Sequence, residues 1–135
     1  MLNYLIIGIG SGLLFGVLDG LINANPLGRR LNEVYKPMTR KAINVPAGII
    51  IDLVYGLIMA GIFLVLFESL PGTTGTIKGI SFGLLAWFFR VVMFAASQWM
   101  ILNIPFKLVS YTLITGLGEM LILGLLYGLT LKPAA

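Results

Sequence analysis

The chain has neither cysteine nor histidine in its 135 residues. Without cysteine there are no disulfides, thiolate nucleophiles or iron–sulfur ligands. Without histidine the usual zinc sites and haem ligation go as well, together with the side chain that most readily carries protons at neutral pH. Any proton chemistry falls to carboxylates. Charge is the next shortage. Only 10% of the residues are charged, against about 25% in an ordinary soluble domain, which is too few to coat a globule. The net charge of +4 is gathered mostly in one loop. Basic residues beside apolar runs are topology signals and headgroup contacts, so no nucleic-acid partner is expected.

What the chain has is apolar length. Runs over 2–22, 46–70, 79–102 and 109–131 each approach or exceed the roughly 20 residues that cross a bilayer as a helix. Together with short connections they occupy the sequence and leave no stretch for a soluble domain. The first run is not a secretory signal, because no Lys or Arg precedes it and it outlasts an ordinary signal core. Pro71-Gly72, Asn103-Ile104-Pro105 and Lys132-Pro133 punctuate the later runs. The expected fold is all-α: a single domain of four antiparallel transmembrane helices with a basic cytoplasmic loop.

That loop, 23–45, carries Arg29, Arg30, Lys36, Arg40 and Lys41 against the single Glu33. The skew places it on the cytoplasmic side of the cell (inner) membrane and both termini outside, with the five basic residues on anionic lipid headgroups. Asn25-Pro26 is a helix-start signal, a capping side chain followed by Pro at the first helical position. Leu27, Leu31, Val34 and Met38 then recur at helical spacing. They predict a short helix lying in the interface and broken at Lys36-Pro37, with an ordinary basic loop as the alternative.

Each apolar run contains at least one ionisable residue, and Asp19, Asp52, Arg90 and Glu119 are the ones set within the runs rather than at the polar turn where Glu68 lies. Such a charge costs about 2.5–3.5 kcal/mol at the centre of a spanning helix, so it needs a partner or water. Arg90 and Glu119 share a mid-depth level on consecutive helices and are expected to pair. Asp52 lies within reach of the same long Arg side chain, and Asp19 lies nearer the cytoplasmic surface. Helical spacing puts Arg90 on one face with Gly83, Ala86, Phe94 and Ser97. It puts Asp52 with Gly48, Tyr55, Gly56 and Ala60, and Glu119 with Gly116, Leu123 and Tyr127. One Arg cannot neutralise three carboxylates. Either a carboxyl keeps its proton, or a cation, water or a partner supplies the difference.

Gly8, Gly12, Gly16 and Gly20 form a stripe at intervals of four, a small-residue face along which another helix can pack closely. A faint repeat also shows: Gly8, Ile9, Gly12, Leu13 and Leu14 match Gly79, Ile80, Gly83, Leu84 and Leu85. The same displacement lays Asp19 on Arg90, and Val54-Tyr55-Gly56-Leu57 resembles Leu126-Tyr127-Gly128-Leu129. Two repeated hairpins of like orientation would produce this pattern.

No catalytic motif is present. The stretch Gly72-Thr73-Thr74-Gly75-Thr76 lacks the Gly-Lys-Ser/Thr ending of a phosphate loop and reads as a turn. The motifs that mark small four-helix exporters or fluoride channels are absent too. With no nucleophile–base pair and no metal-ligand cluster, neither an enzyme nor a cofactor is expected. The leading expectation is a non-enzymatic membrane protein, either an accessory subunit of a membrane complex or a homo-oligomeric scaffold, partnered by lipid, other subunits or itself. The alternative is a small proton- or cation-coupled transporter or channel working through Glu119, Asp52 and Arg90.

Overall fold

A computed structural model describes residues 2–33, 35 and 45–131. Among them every regular element is helical. Helix α1 spans Leu2–Ala24, α2 Pro26–Leu31 and α3 Val45–Leu66, which tightens into a 3-10 turn at Phe67–Ser69. Helix α4 spans Gly75–Ala86 and continues through a π-helical turn at Trp87–Val92 into α5, Met93–Ile101; α6 spans Phe106–Thr130. Leu2–Ala24, Val45–Ser69, Gly75–Ile101 and Phe106–Thr130 are each long and apolar enough to cross a membrane, by length and composition.

The third long helix starts four residues earlier than the apolar pattern suggests. Thr74 caps it, its hydroxyl accepting the Ile77 N–H at 3.3 Å, while Gly72 turns the chain at a φ of +116° that side chains rarely adopt. Lys78 thereby falls inside α4. Its ammonium donates to the Phe67 and Leu70 carbonyls at 2.6 and 3.0 Å and closes the end of the preceding helix. The fourth helix likewise begins at Phe106, directly after Pro105.

The start signal at Asn25-Pro26 produces α2, with the Asn25 side chain accepting the Gly28 N–H at 2.9 Å. Arg29 and Arg30 sit exposed in its last turn. The rest of the expected amphipathic segment, the break at Lys36-Pro37, the headgroup residues Lys36, Arg40 and Lys41, and the closing Lys132-Pro133 lie outside the described residues.

Packing divides the bundle into two intimate pairs, α1 with α3 and α4 with α6. Glycine makes both. Along the first pair Gly8 lies on Leu57, Gly12 on Leu53 and Gly16 on the Asp52 side chain, so numbers rise on one helix as they fall on the other. Along the second, Gly75 lies on Gly128, Gly79 on Gly124 and Gly83 on Leu121, in the same opposed sense. Gly56 rests on Gly8 and Gly12 as Gly124 rests on Gly79 and Gly83. The two seams are thus counterparts. The sequence repeat paired Gly56 with Gly128, and the packing pairs it with Gly124, one helical turn away.

The expected stripe on α1 does not run its full length. Gly20 is exposed with open space around it, and the half-buried Gly48 of α3 also has open space beside it. The Asp52 carboxyl lies against Gly16, and beyond that level the two helices part.

Hydrogen bonds join the pairs at both ends and in the middle. Asn3 donates to the Thr130 carbonyl at 2.9 Å at one end. At the other, the Tyr111 hydroxyl donates to the Ile22 carbonyl and accepts from the Asn25 amide. Between them the Tyr127 hydroxyl donates to Ser11 Oγ at 2.8 Å, and Ser11 donates to the Gly8 carbonyl at 2.9 Å. Both side chains are fully buried. Phe63, Phe82 and Tyr127 pack ring on ring beside them, with centroids 5.4–5.9 Å apart, so the half of the bundle remote from α2 is a filled core.

Candidate functional site: a one-ended polar cavity

Where α1 and α3 part, at the α2 end, a cavity of about 450 Å³ enters the bundle. Its mouth is lined by Asn23, Asn32 and Tyr111, its walls by Tyr55, Phe94 and Thr115, and its depth by Asp19, Arg90 and Glu119. Three of the four intramembrane charges singled out in the sequence thus share one space.

Glu119 lies on the buried face of α6 with Gly116, Leu123 and Tyr127, the face its spacing predicts. Its side chain is 2% exposed, and Oε1 has no hydrogen-bond partner. Arg90 Nη1 stands 3.8 Å from that oxygen. The two are within ion-pair reach and too far apart for a hydrogen bond. The guanidinium instead lies over the Phe15 ring, 4.3 Å from its centroid, an alternative resting place for a cation.

The position of Arg90 corrects the helical-face reading. It sits inside the π-helical turn, which inserts about one residue into the helical register. Buried positions therefore pass from Gly79, Phe82 and Gly83 to Val91 and Ala95, where an unbroken helix would have buried positions 90 and 94. Val91 packs onto Gly116, Trp87 donates its indole N–H to the Leu113 carbonyl at 2.9 Å, and Ser97 is exposed. Arg90 is moved to the flank, with 36% of its side chain exposed to the cavities beside it.

Asp19 lines the same cavity as Glu119. Side chains lean toward the start of their own helix. On the opposed α1 and α6, that leans Asp19 inward and Glu119 toward the mouth. The helix ends are also uneven, since Tyr111, well inside α6, bonds Ile22 near the end of α1. Asp52 takes a different place. It lines a second hollow with Gly12, Gly16 and Ile49 along the α1–α3 seam, apart from the cavity that holds Asp19 and Arg90. Of its expected companions, Gly56 and Ala60 are buried, whereas Gly48 is half-buried and Tyr55 exposed.

Two groups escaped the sequence reading. Ser11 and Tyr127 form a buried hydroxyl pair that joins α1 to α6. Tyr111 clips α6 to the end of α1 at the mouth. Neither carries a charge, and aromatic hydroxyls near helix ends read as interface anchors in a sequence.

An arrangement with one buried carboxyl, a second beside it and a cation held at arm's length can take up and release a proton or a small cation. Comparison with protein-family models, with curated proteins and with solved structures gives no match.

Proposed function

We propose that this chain is a small proton-coupled membrane transporter, a bundle of four antiparallel spans in the cell membrane with the 23–45 loop on the cytoplasmic side. The outer surface of the bundle supports membrane residence. Val65, Met100 and Ile114 are 71–83% exposed, and an aqueous setting would leave such surface on every helix unsatisfied.

The observation that carries the transport reading is Glu119 at the bottom of a polar cavity that enters from one end. Asp19 and Glu119 line one cavity with a single guanidinium, and a proton shared between the two carboxyls would leave them one negative charge beside it. When the proton leaves toward the mouth, the pair gains a charge. Arg90 can then close its 3.8 Å gap to Glu119, or a solute cation can take its place. Binding of the proton and binding of the solute become exclusive at one site, the condition for coupling their movements.

Proteoliposomes loaded with a pH-sensitive dye test this. A solute gradient should drive proton movement in the native chain, and Glu119→Gln, which keeps the shape and removes the titration, should abolish it. If no flux accompanies any proton or cation gradient, and the protein co-purifies stoichiometrically with another membrane complex, the carboxyls are structural. The chain is then the accessory subunit that the sequence suggested first. Gly10 and Gly118, exposed with open space around them, would allow the close helix approach such an assembly requires.

A further inference from the structure

The polar cavity has an apolar neighbour, and the two share one residue. A groove of about 400 Å³ lies between α3 and α4, lined by Met59, Ile62, Phe82, Leu85 and Phe89, and it ends at Arg90. These two helices make little contact with each other, so the groove is open along the side of the bundle. Arg90 therefore stands between a charged cavity reached from the mouth and an apolar slot reached from the side.

The charges say which head group the cavity favours. Glu119 shares the cavity with Asp19 from α1 and Arg90 from the π-helical turn, while Asp52 of α3 lines a separate hollow. That is two carboxyls to one guanidinium. Glu119 lines the cavity, and its Oε1 is buried and unbonded. An anionic head would meet Arg90 but also two carboxyls at the same spot. A bare metal ion would need a cluster of at least three donors, and among the described residues no such cluster exists. A cationic head meets the unbonded oxygen directly and releases Arg90 onto Phe15, over which it already lies. The slot then supplies what such a head would drag with it, a run of apolar wall with almost no polar atom.

We propose that the cavity and the slot form one binding site for an amphiphilic organic cation, with its ammonium group at Glu119 and Asp19 and its alkyl or aryl tail in the α3–α4 groove. This rests on the cavity being the working site, as proposed for transport, and it names the class of solute. It does not depend on the protein moving that solute.

The test uses the full chain in nanodiscs of zwitterionic lipid, titrated calorimetrically with octyltrimethylammonium, with empty nanodiscs as the partition blank. Octanoate, octanol and tetramethylammonium are the controls for charge and tail. Saturable binding of octyltrimethylammonium is expected, with each control at least about tenfold weaker. Glu119→Gln should weaken it by at least about tenfold, since it removes a buried charged partner. Ile62→Trp fills the slot from a half-exposed position that tolerates bulk, and should weaken the octyl compound while Val65→Trp on the outer surface does not. The inference is overturned if octanoate or octanol binds as well as the cation, or if Glu119→Gln and Ile62→Trp both bind as the native chain does. Absence of saturable binding alongside Glu119-dependent proton flux would remove the solute class and leave the transport reading. Binding without flux would do the reverse.

Discussion

At the scale of single residues, isolated charges in apolar runs pointed inward, because a charge in hydrocarbon must find company, and three of the four line one cavity while Asp52 does not. Their exact company was not legible. The pairing of Arg90 with Glu119 followed from shared depth, and the 3.8 Å separation agrees with it in part. That Asp19 would share a cavity with Glu119 depends on how the ends of α1 and α6 are offset, which no single helix encodes. The same residues yield a prediction. Arg90→Ala and Glu119→Ala should each lower thermal stability, while the double variant should cost less than their sum. A pair held at this distance, with one partner a third exposed, belongs at the low end of the coupling range, about 0.5–1 kcal/mol. Strict additivity would mean that the two side chains do not act on each other, and Arg90 would then belong to Phe15 alone.

At the scale of elements, the helices were legible from hydropathy and their interfaces from glycine, whereas their registers were not. Helix α4 began early because one Thr capped it, a local signal hidden in a stretch that read as a turn. The π-helical turn left no trace in Trp87-Phe88-Phe89-Arg90, and it shifted every inward position after it. The α1 stripe shows how far a pattern carries. At Gly12 a methyl group would meet Leu53 Cα at 2.8 Å and the Asp52 carbonyl carbon at 3.0 Å, backbone that cannot step aside. Gly20 has the same spacing and nothing within 4 Å. Gly12→Ala should therefore destabilise the bundle by about 1–3 kcal/mol through overpacking. Gly20→Ala should be neutral or stabilise it by up to about 1 kcal/mol through reduced backbone entropy in the unfolded chain. Thermal unfolding in detergent reads both. Equal losses at the two positions would mean that the seam continues to Gly20 and that the mouth is closed.

At the scale of the whole molecule, two glycine-seamed pairs stand side by side, filled by aromatic rings in one half and hollow in the other. The hollow follows from the parting of α1 and α3 beyond Asp52, and the charges collect there because it is where water can reach them. The central claim is that this hollow is a wetted cavity running from the α2 end of a membrane-spanning bundle down to Glu119. The absence of cysteine makes the measurement clean, since a single introduced thiol is the chain's only one. Cysteine is placed singly at Asn32 by the mouth, at Thr74 on the opposite end, at Thr115 inside the cavity and at Ser11 in the filled core. A membrane-impermeant thiol reagent is then applied to intact cells and to inverted vesicles. The expected result is labelling of position 74 from outside only, of 32 and 115 from the cytoplasmic side only, and of position 11 from neither. Thr115→Cys that labels from neither side, or from the side that labels position 74, would contradict the account.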